Sequence, residues 1–415
     1  DQHPWFTASR ARADGKADWY LWQDGRNGGP PNNWQSNFGG PAWTWDERRG
    51  QFYYHSFLPT QPDLNWRHPD VRRALYDALR FWLHKGVDGF RVDVLWMLIK
   101  DAAFRDNPPN PAWQPGGRPF DRFLPLYTAD RPDVHEIVAE MRAVLDEFPA
   151  RVLIGEIYLP IDKLVAYYGA DGRGAQLPFN FHLLLLPHWT APALADLITS
   201  YEAAIPPGAG PNWVLGNHAR SGVATRLGPA QARAAAMLLL TLRGTPTLYM
   251  GDELGLEDTP IPPDRLRDPA ELREPGQGLG RDPERTPYPW DDTPNRGFTT
   301  GTPWLPLSTG PSHAAQSRDP ASVLSLHRRL LALRRASPIL SVGALGPVTA
   351  NGPILRYSRH LGRRLDIVLN TTGAPADTHT AGGTILADTH SPNPRALPPG
   401  PLRLEPDQGL LIQPE

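Results

Sequence analysis

The chain of 415 residues contains no cysteine. That excludes disulfide staples, thiol nucleophiles and Cys-ligated metal. Lysine is almost as scarce: Lys16, Lys85, Lys100 and Lys163 are the only four, and Arg supplies the remaining basic charge. Neither sign of charge dominates, with 42 Lys+Arg against 44 Asp+Glu and a net of −2. A partner selected by bulk charge, such as nucleic acid or an anionic membrane, is therefore not expected. Long apolar runs are missing too. Ala234–Leu242 is one of the longest, well below the roughly 20 residues that span a bilayer. No leader-like stretch opens the chain, since Asp1-Gln2-His3-Pro4 is polar, and the expected location is cytoplasmic.

What is abundant sets the fold class. Hydrophobic residues make up 40% of the chain, enough for a large core and too many for a disordered chain. At about 150 residues per domain the length allows two or three domains. Pro and Gly number 48 and 38, so loops are many. Residues 1–67 are rich in Trp, Gly, Pro and Asn without periodicity, as in Gly28-Gly29-Pro30-Pro31-Asn32-Asn33-Trp34. They read as a loop-built subdomain whose aromatics chiefly pin loops together.

A regular alternation follows. Val71, Leu75, Leu79 and Trp82 mark a helix after Pro69, and Val87–Val94 reads as a strand. Val134, Ile137, Val138, Met141, Val144, Leu145 and Phe148 mark a second helix, followed by a strand at Val152–Glu156. Further strands are expected at Gln176–Phe181, Trp213–Gly216 and Thr247–Gly251, with helices at Gln231–Arg243 and Ala321–Ala336. Strands alternating with amphipathic helices imply repeated βα units and a parallel sheet. From about 339 the helical period is lost, and 355–359 and 365–369 read as strands of a small antiparallel β domain.

Asp93 and Glu156 each end an expected parallel strand, where βα enzymes place reactive groups. Arg91 and Asp93 share a face because strand side chains alternate, so Arg91 would keep Asp93 ionised. Glu156 follows Leu153-Ile154-Gly155, a setting that raises a carboxyl toward the range of a general acid. One charged and one protonated carboxyl is the requirement for cleaving a glycosidic bond. A structural Arg91–Asp93 ion pair and a solvated strand end at Glu156 fit the same spacing. A metal site has less support, since no two His share a helix at ligand spacing.

Several segments together resemble the ordered motifs of the α-amylase family of glycoside hydrolases. They are Gly89-Phe90-Arg91-Val92-Asp93, Ile154-Gly155-Glu156, Gly216-Asn217-His218 and Gly244–Glu253, with Gln61-Pro62-Asp63-Leu64-Asn65 as an accessory motif. Gly280–Pro287 with Trp290-Asp291-Asp292 is similar to the α-glucosidase and oligo-1,6-glucosidase branch. The resemblance implies an α/β fold: a (β/α)8 TIM barrel with strands 4–8 in this chain, a loop-rich B domain at 1–60, the C-terminal part of the barrel at 61–338 and an antiparallel all-β C domain at 339–415. It implies a retaining exo-acting α-glucosidase working on small α-glucosides.

In that scheme Asp93 is the nucleophile and Glu156 the acid and base. Arg91 orients Asp93, and His218 binds sugar hydroxyls. Arg285 holds the non-reducing end, and Phe38 and Phe57 flank the sugar. Val94, directly after the nucleophile, matches relatives that accept α-1,6 links. No cofactor is implied, and the divalent-ion loop of some relatives falls outside the residues present.

Two departures from the family pattern stand out. Its Asn-His-Asp reads Asn217-His218-Ala219 here. The missing carboxylate stabilises the transition state, so activity is expected to fall by about 10² to 10³ or more. A substitution made to trap substrate is the favoured explanation, and a natural pseudoenzyme is the other. The first residues resemble the stretch after the family's third barrel strand, so a partner N-terminal segment of roughly 100 residues is expected. The alternatives are a glucosyl transferase or isomerase of the sucrose isomerase or trehalose synthase type, and a non-catalytic sugar-binding homologue.

Overall fold

Aromatic side chains organise the first sixty residues of the computed structural model, which describes residues 1–415. Helix α1 (Pro4–Arg10) starts where His3 Nδ1 accepts the Trp5 N–H. Its fully buried Phe6 packs with Tyr20, Trp22, Tyr53 and Val71. Strands β1 (Trp22–Gln23), β2 (Trp43–Asp46) and β3 (Gln51–Tyr54) form an antiparallel sheet in the order β1-β3-β2. A second cluster, Trp34, Ala42, Trp43 and Tyr54, packs beside it. This small sheet lies within an otherwise loop-built segment and was not expected from the sequence. Its strands are two to four residues long, too short to show a period of two. The aromatics do pin the segment together, as expected.

These residues belong to the first of two compact units, Asp1–Leu159 with Lys163–Pro178 and Asp268–Gly280. Helix α2 (Pro69–His84) carries Pro at its first position and a His68 cap on the Asp70 N–H. Val71 and Leu83 are buried, but Trp82 is 52% exposed, so the buried stripe is narrower than the apolar spacing predicts. Helix α3 (Val134–Asp146) buries Val134, Ile137, Val138, Met141, Val144 and Leu145, the face its periodicity predicts. Arg72 of α2 reaches Glu136 and Glu140 of α3 at 2.9 and 3.0 Å.

Between and after these helices run β4 (Gly89–Val92), β5 (Val152–Gly155) and β6 (Leu177–Pro178), parallel and in that order. In register, Arg91 pairs with Ile154 and Val92 with Gly155. Gly89 is required by close approach: a Cβ there would lie 2.1 Å from the Val152 carbonyl oxygen. The strand expected at Gln176–Phe181 shrinks to two residues, because Pro178 has no N–H to extend the ladder.

The second unit is Pro160–Asp162, Phe179–Arg267 and Arg281–Glu415. Its parallel strands are β7 (Asn212–Val214) and β8 (Thr245–Thr247), and Asn180 bridges Trp213 in parallel. The strand expected at Thr247–Gly251 instead ends at Thr247. There the chain turns, with Tyr249 N–H on Asp252 Oδ2 and Gly251 at φ 98. The same unit carries helices α4 (Ala191–Ala204), α5 (Val223–Leu227), α6 (Pro229–Thr241) and α7 (Val323–Ala336). Every α6 residue from Ala234 to Thr241 is buried, which explains its uniformly apolar sequence.

The C-terminal residues form the antiparallel β structure that was expected. Strands Ile354–Leu361 and Arg363–Asn370 make a hairpin inside a seven-stranded sheet, and Ala376–Thr380 pairs with Gly400–Leu404. Ile354, Val368, Ile385, Leu410 and Ile412 of the larger sheet pack with Ala376, Leu402 and Leu404 of the pair. Two buried arginines, Arg359 of this region and Arg334 of α7, bind carbonyls at the end of α6. Arg359, 0% exposed, donates to the carbonyls of Thr241 (2.7 Å), Leu340 (2.9 Å) and Gly343 (2.7 Å). Arg334 donates to Leu240, Leu242 and Gly244. They satisfy carbonyls that a helix terminus leaves without partners.

Candidate active site

Strand pairing fixes the positions of the carboxyls. The Glu156 N–H donates to the Val92 carbonyl at 3.0 Å, and the Leu95 N–H to the Glu156 carbonyl at 3.2 Å. The residue following β4 is thereby set beside the residue following β5. Leu95 is fully buried against Gly155, where a Cβ would lie 2.7 Å from Leu95 Cδ2. Gly155 is the socket for this anchor.

Arg91 then joins the two acids. Its Nη1 pairs with Asp93 Oδ1, and its Nη2 lies 2.8 Å from Glu156 Oε2. The same Oε2 accepts the Val94 N–H at 3.0 Å. Asp93 and Glu156 are themselves within hydrogen-bond contact. Their surroundings differ sharply: the Asp93 side chain is 66% exposed, that of Glu156 only 8%. Burial, with the adjoining Asp93, pushes Glu156 up to about 7, against the opposing pull of the Val94 N–H and Arg91. One carboxyl is open to solvent and the other holds a proton near neutrality. Arg91 and Asp93 are both partly open to solvent, so theirs is not a buried structural ion pair.

Phe38 and Phe57 form a second group, with ring centroids 5.2 Å apart in an edge-to-face contact. Both are half-buried. Ser36 Oγ accepts the Phe38 N–H and donates to the Phe57 carbonyl. Arg273 donates to the Phe38 and Gly39 carbonyls at 2.9 Å each, and Arg118 binds Glu274 at 3.1 Å. A segment distant in sequence thus clamps the Phe38 loop. Nothing in the sequence patterns marked Arg118 or Arg273.

His218, Ala219 and Arg285 lie in the second unit. Arg285 Nε donates to the His218 carbonyl at 2.6 Å. The Ala219 N–H bonds to Asn217 Oδ1 at 3.0 Å, a tight Asx turn that exposes His218. Arg226 stiffens this loop from behind by donating to the carbonyls of Leu184, Leu215 and Ser221. Gly216 leaves room for Asp252, since a Cβ there would lie 2.6 Å from Asp252 Oδ2. Asp252 is half-buried, and desolvation pushes it up to about 7.

The accessory motif has a structural explanation. Asp63 accepts the N–H and hydroxyl of Ser56 at 2.8 and 2.7 Å and pairs with the buried Lys100 at 2.6 Å. Nearby, Leu21, Leu64, Trp66, Leu98, Ile99 and Phe104 line a largely apolar cavity of about 140 Å³. No three His, Asp or Glu side chains converge into a group that could hold a metal ion.

Against this geometry, the catalytic-domain model of the family described as Alpha amylase matches residues 1–343. The chain belongs to the α-amylase family. Among curated relatives of this family member, a probable alpha-glucosidase of Rhizobium meliloti (strain 1021) is 38% identical over 383 residues, 87% of this chain and 69% of that protein. An oligo-1,6-glucosidase of Parageobacillus thermoglucosidasius is 34% identical over 415 aligned positions, 89% of this chain and 72% of that protein. The chain therefore spans about seven-tenths of the length of these two relatives. Among solved structures, the alpha-glucosyl transfer enzyme XgtA superposes with a TM-score of 0.89 at 35% identity, covering 99% of this chain and 80% of that one. The α-amylase family implies an eight-stranded βα barrel, and the antiparallel β domain that accompanies it is the C-terminal structure described above. No helix is long and apolar enough to cross a membrane.

Proposed function

We propose that this α-amylase family member is a retaining exo-acting α-glucosidase that removes terminal α-linked glucose from short oligosaccharides. The observation that carries the reading is the pair Asp93 and Glu156, joined by Arg91, with Asp93 open to solvent and the buried Glu156 pushed up to about 7. Asp93, ionised and solvent-facing, attacks the anomeric carbon, and the protonated Glu156 delivers its proton to the departing glycosidic oxygen. Glu156, now a carboxylate, takes a proton from water and directs it at the Asp93 ester. A retaining enzyme holds its carboxyls roughly 5–5.5 Å apart, an inverting one about 6.5–9.5 Å. That one arginine reaches both acids supports the closer, retaining arrangement. β4 to β8 are taken as strands 4–8 of the family's barrel. Phe38 and Phe57 are assigned to the sugar's flanks, His218 to its hydroxyls and Arg285 to its far end, on the family pattern.

Ala219 stands where that pattern has Asp, so turnover in this form is low by about 10² to 10³. The test is Ala219→Asp assayed on p-nitrophenyl α-glucoside, with the released anomer followed by NMR. A rise of about 100-fold or more, with α-glucose appearing first, is expected. No recovery, or β-glucose first, removes the proposal. A second reading, glucosyl transfer, is favoured by XgtA being described as an alpha-glucosyl transfer enzyme. The two separate on maltose: free glucose as sole product marks hydrolysis, and longer glucosides mark transfer.

A further inference from the structure

Val94 is held in a conformation its side chain opposes. Its backbone sits at φ 41, ψ 45, in the left-handed region. For a β-branched residue this is a genuine outlier, because Cβ crowds the following carbonyl. Such strain persists only where the surrounding structure over-determines it. Here the Leu95 N–H is fixed on the Glu156 carbonyl, Leu95 fills the socket at Gly155, and the Met97 N–H closes on the Val94 carbonyl at 2.8 Å. The left-handed turn puts the Val94 N–H 3.0 Å from Glu156 Oε2, which also receives Arg91 Nη2 at 2.8 Å. An oxygen that accepts from two donors is a poor place for a proton.

We propose that Val94 is a positioning residue: its strained backbone directs the N–H onto Oε2 of Glu156, so that the transferable proton is carried on Oε1. This rests on the α-glucosidase reading of Glu156 as the acid. The role belongs to the amide and is separate from any contact between the Val94 side chain and substrate. The charged groups facing Glu156 are Arg91 and Asp93, both from β4 and its turn, and neither is altered by removing the amide.

The experiment replaces the Asp93–Val94 amide by an ester, using α-hydroxyvaline at position 94, with Val94→Gly as companion. Gly keeps the N–H and adopts the left-handed region freely. The Glu156 side-chain carboxyl is followed by 13C NMR titration and assigned by its loss in Glu156→Gln. The ester should raise its midpoint by about half to one pH unit, the loss of one hydrogen bond to the charged form. Val94→Gly should leave the midpoint at the parent value without lowering the thermal midpoint. An unmoved midpoint in the ester overturns the proposal, as does an equal shift in Val94→Gly, which would assign the effect to the side chain. Since the titration needs no turnover, a shifted ester beside an inactive Ala219→Asp protein would retain the positioning role and reject the glucosidase reading.

Discussion

Glu156 and Asp252 illustrate how single side chains can work against the fold that holds them. Both carboxyls are pushed up to about 7, from ordinary values of 4.5 and 3.8, and burial is the main cause in each. A raised carboxyl means that the folded chain keeps a proton the unfolded chain releases. The stability this contributes is present in full below the ordinary value and is lost as pH climbs through about 7. Glu156→Gln removes that loss while keeping the shape of the side chain. By calorimetry its melting temperature should lie above the parent's at pH 8 and equal it near pH 4, although catalysis is abolished. A lower melting temperature at pH 8 would mean that Glu156 is ionised and stabilising. Asp93 and Glu156 were legible as residues because strand ends are where such enzymes put carboxyls. The amide of Val94 was not: a backbone angle leaves no mark in the sequence when the residue occupying it is β-branched. Arg226 and Arg273 were hidden for a related reason, since both act on carbonyl groups that every residue possesses.

At the scale of elements, buried guanidinium groups do work usually assigned to apolar packing. Arg359 has no carboxylate partner among its bonds, and three carbonyls take its protons. Burial lowers its affinity for the proton to about 10, yet it stays charged at neutral pH. Arg359→Leu would leave the carbonyls of Thr241, Leu340 and Gly343 without a donor in a dry environment. The expected cost is about 3 kcal/mol or more in urea unfolding monitored by circular dichroism. A cost under about 1 kcal/mol would show that water takes over the arginine's bonds. Helices were readable. α2, α3, α6 and α7 lie within two residues of the limits their periodicity or flanking Pro suggests. Strands were readable at β4, β5 and β7 and less so elsewhere. β6 is cut by Pro178, β8 ends where Asp252 captures the Tyr249 amide, and the first three strands are only two to four residues long.

For the whole molecule, the order of chain segments matters as much as their shape. The second unit is assembled from stretches on both sides of the 268–280 segment. Within it, Arg334 binds the carbonyls that follow α6, and Arg359 binds Thr241. A protease cut in the exposed Pro275–Gly278 loop would leave these bonds intact. The nicked protein should run as one species in gel filtration and separate into two fragments only in denaturant. Separation under native conditions would show that the α6 contacts are weaker than their geometry indicates. The family fold was legible from ordered motifs, but this interleaving was not, because no composition change marks residue 268 or 280.

The excursion at Asp268–Gly280 also limits how the gene can be taken apart. No uninterrupted reading frame encodes either unit alone: a truncation that keeps one of them whole must carry part of the other as an unfolded passenger. A rearranged gene, with 268–280 replaced by a short bridge between Arg267 and Arg281, would join the two long stretches of the second unit, Phe179–Arg267 and Arg281–Glu415, and leave out only its three residues Pro160–Asp162.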